Sequence, residues 1–316
     1  MALRLSDKWV WDFWLVESEG RHHIFYLQAP KSIGDPDLRH WNASIGHAVS
    51  DDLSNWEVLP DALGSGEPGS WDDKSTWTGS IIENEGRWHL FYTGTTTAEQ
   101  GVKQRIGMAT SDDLINWERS GDGPLIPIDQ RWYETFEEGH WHDEAWRDPW
   151  VFRHDGAFHA TITARSNQGP RFGRGVVAHA KSSNLYDWEV LPPITEPDGF
   201  GQTEVSQVIH YEDRWYLVFC SDTPTQSPHR RRNGPGSGTY YLSGDDPLGP
   251  FPLKEARPLS VDRPGSTYAG RLVDLGDEGL YFLTWEWVGH GHEFLGVISD
   301  PFPVHGTESG ELELGK

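Results

Sequence analysis

Apolar residues along this chain come in short runs, and Gly, Pro, Asp and Asn interrupt them before a helical period can establish itself. Representative runs are His23-Ile24-Phe25-Tyr26, Trp88-His89-Leu90-Phe91-Tyr92 and Trp215-Tyr216-Leu217-Val218-Phe219. Segments rich in β-branched and aromatic residues, bounded by turn formers, predict strands. With 35 Gly and 21 Pro the chain has ample turn material, so an all-β fold is expected.

The runs recur in order. Ser50-Asp51-Asp52-Leu53-Ser54-Asn55-Trp56-Glu57 returns as Ser111-Asp112-Asp113-Leu114-Ile115-Asn116-Trp117-Glu118 and as Ser182-Ser183-Asn184-Leu185-Tyr186-Asp187-Trp188-Glu189. Shorter copies begin at Ser243 and Ser299. A second repeat runs in phase: a turn at Gly20, Gly86, Gly156, Asp213 and Glu278, each leading into an aromatic strand. Five units of about 60 residues, each with room for four short strands, predict a five-bladed β-propeller. No linker-like segment divides the chain, so residues 1–316 are expected to form a single propeller domain. The tail from Thr307 is expected to be a closing edge or disordered.

Charge narrows the partners. The 316 residues carry 26 Lys and Arg against 49 Asp and Glu, a formal net charge of -23. Such a surface repels phosphate backbones and anionic lipid, so neither nucleic acid nor membrane is an expected partner. The N-terminal residues lack the basic-then-apolar pattern of a secretory signal, and a cytoplasmic location is expected. One cysteine, Cys220, excludes an internal disulfide framework. Seventeen tryptophans stand out. Trp56, Trp117 and Trp188 belong to the repeat and are expected in the core. Trp9, Trp11, Trp14, Trp77, Trp146 and Trp150 flank the first strands of their units. Oligomeric state is left open.

A propeller gathers its first strands around a central channel. Counting back 8 residues from the turn glycines reaches Asp12 from Gly20, Asp148 from Gly156 and Thr78 from Gly86; counting back 9 from Asp213 reaches Glu204. Three acids therefore share nearly one register in units 1, 3 and 4, while unit 5 offers Tyr268 to Arg271 and no acid. Clustered carboxylates repel and raise one another's pKa values, a cost that suggests use. Two carboxylates flanking a bond are the minimal equipment of a glycoside hydrolase. Indole faces pack on the C–H face of a sugar ring, which makes Trp11, Trp14, Trp77 and Trp146 candidate contacts. A small carbohydrate is the expected substrate.

Arg147-Asp148-Pro149, Gly46-His47-Ala48-Val49-Ser50-Asp51-Asp52-Leu53, Trp77-Thr78-Gly79-Ser80 and Phe91-Tyr92-Thr93-Gly94 resemble motifs of glycoside hydrolase family 32, the fructofuranosidases, over roughly residues 9–220. The resemblance implies Asp12 as nucleophile, Asp148 as transition-state stabiliser and Glu204 as acid/base. It adds Ser80, Arg147 and His47 to the substrate-binding candidates, beside Tyr268 at the channel position of unit 5. It implies an exo-acting, retaining enzyme with a β-fructofuranoside favoured. The family's Trp-Met-Asn-Asp-Pro-Asn-Gly stands here as Trp9-Val10-Trp11-Asp12-Phe13-Trp14, and its Glu-Cys as Glu204-Val205. The five units occupy these residues, so that family's C-terminal β-sandwich is not expected among them. Propeller families 43, 62 and 68 are similar, which keeps open an inverting arabinofuranosidase or xylosidase, a transglycosylase, or a non-catalytic carbohydrate-binding propeller.

Other motifs carry less. His140-Trp141-His142-Asp143 reads as a polar loop rather than a metal site, since no third spaced ligand accompanies it. His290 and His292 sit near the last channel region. No cofactor is expected, although an acidic channel is compatible with a structural calcium ion. His229-Arg230-Arg231-Arg232 is a basic run suited to a carboxylate or phosphate, or simply a solvated loop. Gly234-Pro235-Gly236-Ser237-Gly238 lacks the Lys-Ser/Thr ending of a phosphate loop and reads as a flexible rim.

Overall fold

A computed structural model of the chain describes residues 2–289, 293–307 and 309–315. The described residues form five antiparallel sheets. Blade 1 comprises Lys8–Ser18, Arg21–Pro30, Ser44–Ser50 and Glu57–Leu63. Blade 2 comprises Ser75–Asn84, Arg87–Thr95, Gln104–Ser111 and Glu118–Arg119. Blade 3 comprises Trp146–His154, Ala157–Arg165, Gly175–Ser182 and Trp188–Leu191. Blade 4 comprises Glu204–Tyr211, Arg214–Ser221, Ser237–Gly244 and Arg257–Asp262. In blade 5, Thr267–Asp274 pairs with Leu280–Val288, onto which Phe294–Ile298 and Phe302–Gly306 both pair, and Leu312–Leu314 forms the outer edge. The fold is thus the expected five-bladed propeller, and the described residues contain no sandwich beside it. The tail residues Leu312–Leu314 take the closing-edge alternative. Leu3 and Ile298 exchange backbone hydrogen bonds (2.9 and 3.2 Å), which joins blade 5 to the start of the chain. No helix among the described residues is long and apolar enough to cross a membrane.

Both repeats have a structural meaning. The first hairpin of blades 1 to 3 turns through Glu19-Gly20, Glu85-Gly86 or Asp155-Gly156, with positive φ at both residues. Two consecutive left-handed residues make the tight turn whose twist matches paired strands. The acidic repeat joins the third strand to the fourth. Asp52 Oδ1 accepts the backbone N–H groups of Ser54 and Asn55 (2.9 and 2.7 Å), and Asn55 Nδ2 donates to Asp52 Oδ2 (2.7 Å). Asp113 and Asn116 repeat that arrangement. These bonds hold the Asp52 and Asp113 carboxyls far below the usual carboxylate range. The following Leu53, Leu114 and Leu185 adopt positive φ (57, 63 and 70°) with buried side chains. A left-handed leucine costs roughly 1–2 kcal/mol, so the turn and the leucine's burial must supply more than that.

The repeat tryptophans seal each blade onto the preceding one. The Trp117 ring stands edge-on to Phe25 of blade 1 (5.8 Å), and Trp188 edge-on to Phe91 of blade 2 (5.5 Å). Trp56 packs on the cluster that joins blade 1 to Leu283 and Ile298 of blade 5.

Two histidine pairs, the second of them fully buried, bridge second and third strands. His23 Nδ1 lies 2.9 Å from His47 Nε2, and His159 Nδ1 lies 2.9 Å from His179 Nε2. Burial, and then the partner imidazole, pushes His47 down to about 3 and His179 down to about 4. A histidine whose folded pKa is depressed stabilises the fold above its unfolded pKa of about 6.5 and loses that contribution as pH falls. The melting temperature of His179→Asn is therefore expected to vary less between pH 6.5 and 4 than that of the unsubstituted protein. A thermal-melt series across that range checks it; parallel curves would show that the pair is not linked to stability.

Candidate active site

Every innermost strand breaks register at the same level. The pairing skips between Val10 and Phe13, Trp77 and Gly79, Arg147 and Trp150, Glu204 and Gln207, and Tyr268 and Arg271. These are β-bulges, which re-aim side chains. Asp148, Val205 and Ala269 take positive φ there (58, 53 and 50°). The residues just before the bulge are Val10, Trp77, Arg147, Glu204 and Tyr268; Asp12 and Asp148 lie within it. That one-residue difference explains why Glu204 sits 9 positions from its turn rather than 8.

The bulges are tied around the axis. Thr78 Oγ1 donates to Asp12 Oδ2 (2.6 Å), and the Asp148 N–H donates to Thr93 Oγ1 (3.0 Å). The Val151 N–H donates to Ser80 Oγ (2.9 Å), and the Thr161 and Ser206 hydroxyls share a bond (2.9 Å). Gln207 and Leu272 bond twice (2.8 and 2.9 Å). Arg271 closes the ring, donating to the carbonyls of Phe13, Val205 and Ser206 (3.1, 3.0 and 2.8 Å).

Above this ring opens a pocket of about 410 Å³, within the range of small-ligand sites. Asp12, Asp148 and Glu204 all line it. So do Trp11, Trp77, Arg147 and Tyr268. Arg147 is buried and faces three carboxylates. Its Nη2 lies 2.5 Å from Glu204 Oε1, its Nη1 3.4 Å from Asp143 Oδ2, and its Nε 3.6 Å from Asp148 Oδ2. Nη1 also donates to Gln104 Oε1 (2.7 Å). Tyr268 donates to Glu204 Oε2. Asp148 Oδ2 accepts from Thr163 (2.8 Å) and from the Val205 N–H (3.2 Å).

The electrostatics separate the acids. Burial, and then the charges of Asp148 and Glu204, push Asp12 up to about 7, against the Thr78 hydrogen bond and Arg271. Burial also raises Asp148, opposed chiefly by Arg147. Burial, and then Arg39 and Arg147, push His40 down to about 3, so its imidazole is neutral at physiological pH. Arg271 is pushed down to about 10 by burial.

Four sequence candidates lie elsewhere. Trp14 is fully buried and stacks on Phe25 (6.4 Å). Trp146 is fully buried, donates to the Ile126 carbonyl and packs on Tyr133 (5.1 Å). His47 stacks between Phe25 and His23, and Ser80 is consumed by the bond between blades 2 and 3. None of the four lines the pocket. Side chains alternate faces along a strand, so Trp14, Trp146 and Ser80, near a channel position in sequence, point into the blade, whereas His47 lies on the third strand, away from the axis. Of the other flanking tryptophans, Trp9 packs edge-on to Phe294 (5.7 Å), and Trp150 donates to the Val208 carbonyl (3.1 Å).

The pocket walls also hold residues that the strand register could not reveal. Arg39, His40 and Trp41 come from the 3₁₀ segment Pro36–Asn42 between the second and third strands of blade 1. Arg39 lies over Phe294 (4.8 Å) and Trp285 (5.4 Å). Asp143 and His142 come from the loop read as polar filler, and Asp222 and Trp287 from strand ends. His290 and His292 lie outside the described residues. Among the described residues no group of three or more His, Cys, Asp or Glu side chains is placed to hold a metal ion.

Residues 13–290 match the family description "Glycosyl hydrolases family 32 N-terminal domain". The chain belongs to glycosyl hydrolase family 32. The match begins one residue after Asp12 and extends past the resemblance read from the motifs. This family member is 29% identical over 179 residues to the sucrose-6-phosphate hydrolase of Bacillus subtilis, covering 56% of this chain and 32% of that protein. It is 28% identical over 289 residues to the sucrose-6-phosphate hydrolase of Salmonella typhimurium, covering 89% of this chain and 56% of that one. The matched stretch thus spans about a third of the first relative and little over half of the second. In structure it is similar to inulosucrase from Halalkalicoccus jeotgali bound to kestose, with a TM-score of 0.80 at 22% identity over 98% of this chain and 87% of that one. Bombyx mori GH32 β-fructofuranosidase superposes with a TM-score of 0.75 at 21% identity, over 99% of this chain and 64% of that one.

A carboxyl raised to about 7 weakens the fold above its unfolded pKa of about 3.8, and the cost grows as pH rises through that window. Asp12→Asn is therefore expected to be more stable than the unsubstituted protein at pH 8, by up to about 4 kcal/mol, and equally stable near pH 3.5. Calorimetry at the two pH values tests this; equal stability at pH 8 would contradict the crowding of charge at the pocket floor.

Proposed function

We propose that this chain is a glycosidase that hydrolyses β-fructofuranosides from their fructosyl end with retention of configuration. The observation that carries the reading is the meeting of Asp12, Asp148 and Glu204, from three different blades, in one pocket beside Arg147. Membership of family 32 supports it, and the relatives are named for sucrose-6-phosphate hydrolysis. In this reading the Asp12 carboxylate attacks the anomeric carbon while Glu204 protonates the departing oxygen, giving a covalent fructosyl ester on Asp12. Glu204 then takes a proton from water, which attacks the same carbon and frees Asp12.

The surroundings suit those roles. Thr78 donates to one oxygen of Asp12 and orients the other. Arg147 and Tyr268 hold the two oxygens of Glu204. Asp148, fixed by Thr163 and the Val205 N–H, would accept sugar hydroxyl protons. Trp11, Trp77, Trp285 and Trp287 supply apolar faces for the ring. A pocket with its acids at the floor admits a chain end more readily than a mid-chain segment, which favours exo-action.

Asp12→Asn and Glu204→Gln are each expected to lower fructose release from sucrose by about a thousandfold or more, with an unchanged circular dichroism spectrum. Near-normal turnover by either variant would sink the assignment. Methanolysis products followed by NMR report the stereochemistry, and an inverted fructoside would replace the double displacement with a single one.

A further inference from the structure

Five carboxylates line the pocket, those of Asp12, Asp143, Asp148, Glu204 and Asp222, against two guanidiniums, those of Arg39 and Arg147. Three of the five have roles in the proposed hydrolysis. Of the other two, Asp143 is the one that touches Arg147. Asp143 Oδ2 accepts from Gln104 Nε2 (2.8 Å) and from Arg147 Nη1 (3.4 Å). An asparagine oxygen could accept both bonds. Asp143 Oδ1 is buried and has no hydrogen-bond donor among the described residues. What aspartate adds at this place is therefore negative charge beside Arg147, in a pocket that already crowds its acids.

The placement is built. The Glu144 N–H donates to the Val102 carbonyl (2.8 Å), and Glu144 Oε2 accepts from the Phe136 N–H (2.9 Å). These bonds pin the loop against blade 2, next to the buried Gln104. Gln104 Oε1 then accepts from Arg147 Nη1 (2.7 Å), which closes a triangle of Gln104, Asp143 and Arg147. The triangle occupies Nη1. Arg147 Nη2 is left to meet Glu204 Oε1 (2.5 Å), with Nε 3.6 Å from Asp148 Oδ2. A guanidinium without this restraint could turn two N–H groups onto one carboxylate, the strongest form of such a pair. Glu204 held in that way would be locked in its ionised form.

We infer, on the reading that Glu204 is the acid, that Asp143 is a positioning residue: it keeps one edge of Arg147 away from Glu204 and so leaves Glu204 able to carry the proton that the departing sugar needs. Asp143 acts through charge, and the acids stay where their strands fix them. Removing that charge strengthens the pull of Arg147 on Glu204 and lifts a repulsion from it; both favour the ionised acid. Glu204 is also faced by Asp12 of blade 1, Asp148 of blade 3, Asp222 of blade 4 and Tyr268 of blade 5. Asp143 is faced by Arg147, by His142 (3.7 Å) and by Arg165, which pairs with Glu134 (3.3 Å). Asp143→Asn leaves all of these in place.

The test measures kcat/KM on sucrose from about pH 4 to about pH 8 for the unsubstituted protein, Asp143→Asn and the charge-keeping Asp143→Glu. The active form has Asp12 ionised and Glu204 protonated. A Glu204 that ionises more readily depletes that form on the alkaline side and spares it on the acid side, whichever of the two acids titrates first. The ratio of Asp143→Asn to the unsubstituted protein is expected to be about 0.1 near pH 8 and to rise about threefold or more towards pH 4. Asp143→Glu should give a flat ratio. A flat ratio for Asp143→Asn would overturn the assignment, because a merely structural role lowers activity alike at every pH. The same slope in Asp143→Glu would place the effect in geometry rather than charge and would equally end it. Carbon-13 NMR of glutamate-labelled protein, with Glu204→Gln identifying the resonance, follows the Glu204 carboxyl without turnover; its midpoint should fall by about one pH unit in Asp143→Asn. That fall in a protein that hydrolyses no fructoside would fault the glycosidase reading and leave the sharing of Arg147 standing. An unmoved midpoint would refute the sharing itself.

Discussion

Five strands converge on an axis where backbone and short polar side chains must satisfy one another with little room for water. That constraint organises the molecule. Each blade meets it with a bulge at a common level, and each bulge reaches a neighbour through a side chain: Thr78 to Asp12, Ser80 to Val151, Thr161 to Ser206, Gln207 to Leu272 and Arg271 to Phe13. Arg271 is the most consequential member. It is a buried cation with three carbonyl acceptors and no direct carboxylate partner among the described residues, and its charge lies close enough to Asp12 and Asp148 to offset part of their repulsion.

The same geometry divides labour within the site. Positions just before the bulge project long side chains into the pocket, as Trp77, Arg147, Glu204 and Tyr268 do. Positions inside the bulge place Asp12 and Asp148 at its floor. The floor is fixed by strands bonded on both sides, whereas the walls come from loops such as Pro36–Asn42 and the segment containing Asp143. Floor chemistry and wall shape are therefore separable: a wall loop can change without moving the acids.

Much of this was legible in the residues alone. Two in-phase repeats led to the number of blades, because each repeat marks a turn that the fold uses several times. Counting from the turns led to Asp12, Asp148 and Glu204, because strand length between turn and bulge is nearly constant. Strand alternation was the information missing for Trp14, Trp146 and Ser80: a bulge shifts which face a neighbour occupies, and the sequence does not mark where the shift falls. His47 failed for a simpler reason, since it sits on the third strand of its blade, away from the axis. Arg39, His40, Trp41 and Asp143 were hidden for another reason. They reach the pocket from loops whose course depends on packing between blades, and loops carry no period to count.

The acidic turn of blade 3 differs from its two counterparts in one respect. Where blades 1 and 2 have Asp52 with Asn55 and Asp113 with Asn116, blade 3 has Asn184 with Asp187. Acceptor and donor have traded places, yet the bond survives at 2.8 Å, and Asn184 Oδ1 still accepts the Tyr186 and Asp187 N–H groups (2.9 and 2.8 Å). What the three copies share is a pairing rather than a pair of residues. Tracing the duplications behind such a molecule column by column would count two substitutions where the physics records one exchange, so ancestry is better read from the bonds.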